Sequence, residues 1–150
     1  MSRVDEPRLL IVGLGLIGGS LAAALRSADF QGQIVGCDPN SDEIALGMQK
    51  GLIDAGGTEL GDQVVDASLI VLAVPVLAME TVMQTLVEVL PRAAANVVIT
   101  DVGSTKSTIR ACAERVFGRV PTNMVLGHPI AGSEKSGVWQ RIPTSTVITR

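Results

Sequence analysis

An unbroken apolar run, Leu9 to Val12, leads straight into glycines at positions 13, 15 and 18, and no other stretch restricts the chain's fold as strongly. An apolar run this short, with no alternating polar residues, reads as a strand covered on both faces. Residues 17–26 continue with small and apolar side chains at helical spacing, so the segment reads as strand, tight turn, helix. The pattern recurs along the chain. A second strand over 33–37 ends at Asp38-Pro39-Asn40, Ser41 is the expected N-cap of a helix over 42–50, and Gly51 is its natural stop. Residues 68–74 form the clearest strand, closed by Pro75, and a helix over 77–90 runs to Pro91. A strand over 96–101, a helix over 105–117 and a strand over 124–126 complete the series, without internal repeats, low-complexity tracts or linkers.

Short strands alternating with helices imply right-handed crossovers and a mostly parallel sheet with helices on both faces. The expected class is α/β, a doubly wound Rossmann-type domain over residues 1–138. A chain of 150 residues with two Phe, one Trp and no Tyr must build its core from Val, Ile, Leu and Ala, which suits close-packed parallel strands. The same scarcity leaves little to stack on bases, and a net charge of -3 attracts no phosphate backbone, so nucleic acid is not an expected partner. Cys37 and Cys112 lack metal-ligand spacing and read as buried free thiols, and neither a metal site nor a disulfide framework is expected. The N-terminus carries both signs of charge, and the apolar run after it is broken by glycines and Arg26. Neither a signal peptide nor a membrane span is expected, and the expected location is the cytoplasm.

Gly13, Gly15 and Gly18 follow the Gly-x-Gly-x-x-Gly pattern between a strand and a helix, the context that gives the pattern meaning. Gly13 permits the tight turn, Gly15 lets backbone approach a pyrophosphate, and Gly18 lets helix and strand pack closely. The helix N-terminus at Leu16 and Ile17 then offers free N–H groups and a partial positive charge to phosphates. About 20 residues on, Asp38 closes the second strand, where a carboxylate accepts hydrogen bonds from ribose hydroxyls and repels a 2′-phosphate. No Arg or Lys follows among Pro39, Asn40 and Ser41, so the expected cofactor is NAD rather than NADP. A P-loop is excluded, because no Gly-Lys-(Ser/Thr) follows the glycines.

Ligands of such sheets lie beyond the C-terminal ends of the strands. Three segments therefore converge on the nicotinamide: Ala73-Val74-Pro75, Asp101-Val102-Gly103-Ser104 and Gly127-His128-Pro129. His128 is the chain's one histidine and stands at a strand end in that crevice. An imidazole that titrates near pH 6.5 can take a hydroxyl proton as hydride leaves carbon. Ser104 also fits an N-cap of the helix that follows it, Lys106 a solvated first-turn residue, and Glu134 and Lys135 an exposed pair.

The strings GLGLIGGSLA, DVGSTK (residues 101–106) and GHPIAGSEKSGV (residues 127–138) resemble the prephenate dehydrogenase family in order across residues 9–138. The last motif is the specific one. The resemblance implies NAD-dependent oxidation of prephenate with loss of carboxylate, giving 4-hydroxyphenylpyruvate in tyrosine biosynthesis. It also implies that His128 holds the ring hydroxyl and accepts its proton, that Ser104 orients the imidazole near the nicotinamide, and that Ser133 and Glu134 line the substrate pocket. Arogenate or broad cyclohexadienyl dehydrogenases share this chemistry and remain an alternative, as does an NAD-binding module without chemistry. Dehydrogenases of hydroxy acids or imines fit the first 100 residues but lack the motif at 127–138.

Family members continue into a helical domain that forms the homodimer and supplies an arginine to the substrate carboxylate, whereas this chain reaches only Arg150. The tail WQRIPTSTVITR also departs from the family pattern. One permitted codon set for it, read two nucleotides out of frame, encodes Ala-Ala-Asn-Pro-Asp-Leu-Tyr-Arg-His-His-Lys, close to the family continuation. Residues 139–150 are therefore expected to be a frameshift product, and the chain is expected to bind NAD with little or no turnover alone.

Overall fold

The computed structural model describes residues 6–102 and 106–127. The elements run β1 (Arg8–Val12), α1 (Leu16–Ser27), β2 (Gln33–Cys37), α2 (Ser41–Gln49), β3 (Ala55–Gly57) and α3 (Leu60–Gln63). Then follow β4 (Leu69–Leu72), α4 (Val76–Val89), a 3-10 turn at Leu90–Arg92, β5 (Val98–Asp101), α5 (Lys106–Phe117) and β6 (Met124–Val125). The strands make one sheet in the order β3-β2-β1-β4-β5-β6, and every pair is parallel. Winding runs outward from β1 to β3, returns, and runs outward again from β4 to β6. The reversal between β1 and β4 opens a crevice at their C-terminal ends, the place where such sheets bind ligands.

The period-two alternation of β1 divides its side chains between two cores. Leu9 and Ile11 pack with Ile34, Leu69 and Val71 against Ala22 and Leu25 of α1 and Ile53. Leu10 and Val12 pack with Val35, Ile70, Leu72 and Ile99 against Met79, Met83 and Leu86 of α4 and Ile109 of α5. Helices thus cover both faces. The apolar strands need no polar face because neither side of the sheet meets water. None of the described helices is long and apolar enough to cross a membrane.

Two local readings change. Asn40, not Ser41, caps α2: its backbone is extended and its side chain accepts the Asp42 N–H, so Ser41 is already the first helical residue. The edge strand β3 and the single-turn α3 had no periodic apolar signal, since β3 is Ala-Gly-Gly and is only half-buried. Cys37 and Cys112 are free and buried, as read from their apolar surroundings.

Candidate functional site

The crevice is built by backbone first. At the end of β1, Gly13 turns with a φ of 99°, and a Cβ there would lie 2.7 Å from the Ala73 carbonyl oxygen in the loop after β4. Only glycine tolerates that dihedral and that contact together. The Gly13 N–H donates to the Cys37 carbonyl at 2.7 Å, which fastens the turn to the end of β2. A Cβ on Gly18 would lie 1.8 Å from the Gly13 carbonyl oxygen, so the first turn of α1 rests directly on the glycine loop. Gly15 differs: it is exposed, and a Cβ there would meet nothing within 4 Å. That open side is what an approaching pyrophosphate requires.

Helix α1 begins at Leu16 with no side chain capping it, which leaves its first-turn N–H groups directed into the opening. Leu16 and Ile17 are themselves exposed. Val74 and Pro75 stand on the opposite lip, at the head of α4, where Val74 comes close to Gly13 and Leu77 is fully exposed.

Asp38 lies at the end of β2 with its carboxylate held at both oxygens. The Leu14 N–H donates to Oδ2 at 2.8 Å and the Asn40 N–H donates to Oδ1 at 2.9 Å. The second contact is an Asx turn, local to Asp38-Pro39-Asn40; the first joins the glycine loop to the β2 end. Each carboxylate oxygen can accept a further hydrogen bond, which is the demand a ribose diol makes. The Leu14 and Asn40 amides were not singled out from sequence. Asn40 had a legible signal in the Asp-Pro-Asn turn, whereas the Leu14 contact depends on β1 and β2 being neighbours. Beside Asp38, burial pushes the Cys37 thiol up to about 11, assisted by the negative charges of Asp38 and Glu59. The thiol is thus neutral at physiological pH.

Asp101 ends β5 with only 2% of its surface exposed, and its Oδ1 accepts the Gly127 N–H at 2.8 Å. Gly13, Gly15, Leu16, Ile17, Gly18, Asp38, Val74 and Pro75 therefore gather around the β1/β4 crevice, while Asp101 lies inward between β5 and the segment after β6. Ser104, His128, Ser133 and Glu134 lie outside the described residues, as do residues 139–150. Among the described residues no cluster of His, Cys, Asp and Glu could hold a metal ion.

Comparison with known proteins bears on the same site. The family described as prephenate dehydrogenase, nucleotide-binding domain, matches residues 21–144. Prephenate dehydrogenase of Lactococcus lactis is 38% identical over 136 residues, covering 87% of this chain and 36% of that protein. Prephenate dehydrogenase of Bacillus subtilis is 36% identical over 136 residues, covering 87% of this chain and 34% of that protein. The crystal structure of prephenate dehydrogenase from A. aeolicus in complex with hydroxyphenyl propionate and NAD+ superposes with a TM-score of 0.71 at 31% identity. That match covers 89% of this chain and 45% of the other. The chain thus spans about a third of the length of the curated relatives it matches. On the family match, the level of identity and the shared fold, the chain belongs to the prephenate dehydrogenase family and carries its nucleotide-binding domain.

Proposed function

We propose that this chain is the NAD-binding half of an enzyme that oxidises prephenate with loss of carboxylate to 4-hydroxyphenylpyruvate. The observation that carries the cofactor reading is the Asp38 carboxylate, held by the Leu14 and Asn40 amides beside an open glycine turn. Asp38 would accept the adenosine ribose hydroxyls and repel a 2′-phosphate, which selects NAD over NADP. The N–H groups at Leu16 and Ile17 would hold the pyrophosphate, and Val74 and Pro75 would border the nicotinamide half. NAD, when bound, supplies the hydride acceptor.

The chemistry assigned to the chain's own residues is proton handling. His128 takes the proton of the ring hydroxyl while the hydride departs from the same carbon, giving a dienone. The ring carboxylate leaves as carbon dioxide, its electron pair enters the ring, and the former carbonyl oxygen regains a proton as a phenol. Ser104 keeps the imidazole oriented, and Ser133 and Glu134 shape the substrate pocket. Aromatisation supplies the driving force, so no further cofactor is required.

The curated relatives are about two and a half times as long as this chain, and in this reading turnover needs more protein than these 150 residues, including a dimerising domain that completes the substrate wall. The reading of residues 139–150 as a frameshifted continuation is tested by sequencing the gene, and out-of-frame codons unable to encode the family-like peptide would refute it. The functional test is prephenate-dependent NADH formation by the 150-residue chain and by its frame-restored, extended product. Turnover by the extended product alone is expected. Brisk turnover by the short chain would overturn the reading that turnover needs a further domain, and preference for arogenate would move the substrate to that compound.

A further inference from the structure

We infer that Asp101 is a positioning residue: with Gly127 it forms a clamp that fixes the origins of the two segments bearing Ser104 and His128. The backbone ladder between β5 and β6 ends at the pair Thr100 and Val125. Beyond that pair the next tie between the two segments comes from a side chain, as the Gly127 N–H donates to Asp101 Oδ1 at 2.8 Å. Asp101 is 2% exposed, so its carboxyl depends on hydrogen bonds inside the protein, and losing a partner there is costly. The second half of the clamp is steric. A Cβ on Gly127 would lie 1.6 Å from the Asp101 carbonyl oxygen, so the two backbones meet where no side chain can stand between them.

His128 is the residue after Gly127, and Ser104 is three residues beyond Asp101. At about 3.3–3.6 Å per extended residue, Ser104 can stray only roughly 11 Å along its segment from the clamp. A buried bond at Asp101 thus limits the mutual placement of two residues that it need not touch. The inference rests on the proposed roles of Ser104 and His128, while its geometry rests on Asp101 and Gly127 alone.

The test uses the 150-residue chain labelled at histidine, where His128 gives one imidazole signal, together with Asp101→Ala and Asp101→Asn. In the unaltered chain the Gly127 amide should exchange with solvent at least ~100-fold more slowly than an unstructured amide. Asp101→Ala should lose that protection and, at saturating NAD, the NAD-induced shift of the imidazole signal. Asp101→Asn retains an acceptor oxygen and should restore both. Fast exchange at Gly127 in the unaltered chain overturns the clamp even if Asp101→Ala fails to fold. So does an unchanged imidazole response in Asp101→Ala at saturating NAD. Failure of prephenate turnover in the extended product would refute the functional reading while leaving the Gly127 exchange result standing.

Discussion

Asp38 connects three pieces of backbone with one carboxylate: the end of β2, the glycine turn through Leu14, and the head of α2 through Asn40. Replacing it removes the proposed ribose acceptor and leaves the Leu14 amide without this bond. Asp38→Ala should weaken NAD binding roughly 10- to 100-fold, as loss of hydrogen bonds to a charged group at about 1.5–3 kcal/mol implies. Asp38→Ser should in addition narrow the preference against NADP, because the charge that repels a 2′-phosphate is gone; competitive titration with both dinucleotides reads this. The neighbouring Cys37 makes a different prediction. Its thiol is raised from 9.0 to about 11 by burial and by the charges of Asp38 and Glu59. A raised value means that the folded state holds its proton more tightly than the unfolded state. The resulting stabilisation is complete below pH 9 and is lost as pH rises through about 11. Denaturation midpoints should therefore fall on this alkaline limb, and Cys37→Ala should flatten it. Iodoacetamide at pH 7.5 should leave Cys37 unmodified in the folded chain, since the reactive species is the thiolate.

Among the elements, the unit β1–turn–α1 is the most tightly constrained, because the first turn of the helix rests on the glycine loop. Gly18→Ala would drive a methyl group to within 1.8 Å of the Gly13 carbonyl oxygen, so α1 must move away from the sheet. Overpacking of this kind costs about 1–3 kcal/mol, which lowers Tm by roughly 2–12 °C in a domain of this size. NAD affinity should fall with it, because the helix N-terminus shifts from the crevice. This unit was legible in sequence because its constraints are local: an apolar run, glycines at fixed spacing and an acid about 20 residues on. Strands β2, β4 and β5 and helix α4 announced themselves in the same way, by apolar runs bounded by Pro, Gly or Asp. Strand β3 did not, because Ala-Gly-Gly has no hydrophobic period and pairs only through its backbone with Val35, Gly36 and Cys37. The cap of α2 was misplaced by one residue for a similar reason. Asn40 and Ser41 are both good caps, and the extended backbone at Asn40 decided between them. The bond from Gly127 to Asp101 was invisible because it spans residues far apart in sequence and needs β5 and β6 to be adjacent.

At the scale of the whole molecule, the sheet separates stability from function. The C-terminal edge carries the crevice, whereas the N-terminal edge is tied by Asp54, whose Oδ2 accepts the Ile34 N–H at 2.8 Å and meets Arg26 at 2.8 Å. Burial alone would raise the Asp54 carboxyl, but the Ile34 amide and the Arg26 guanidinium outweigh it and hold the group below the usual carboxylate range. A lowered value stabilises the fold above the unfolded value of about 3.9, and that contribution is lost as pH falls through the folded one. Asp54→Asn should thus flatten the acid limb of stability below about pH 4 while leaving dinucleotide affinity at neutral pH unchanged. The central claim concerns the opposite edge, that the β1/β4 crevice of this chain is by itself an NAD site selected by Asp38. Calorimetric titration of the 150-residue chain with NAD and then NADP tests it most directly. One saturable NAD site, with NADP at least ~10-fold weaker, is the expected result. No saturable binding of NAD, or equal binding of the two dinucleotides, would contradict it.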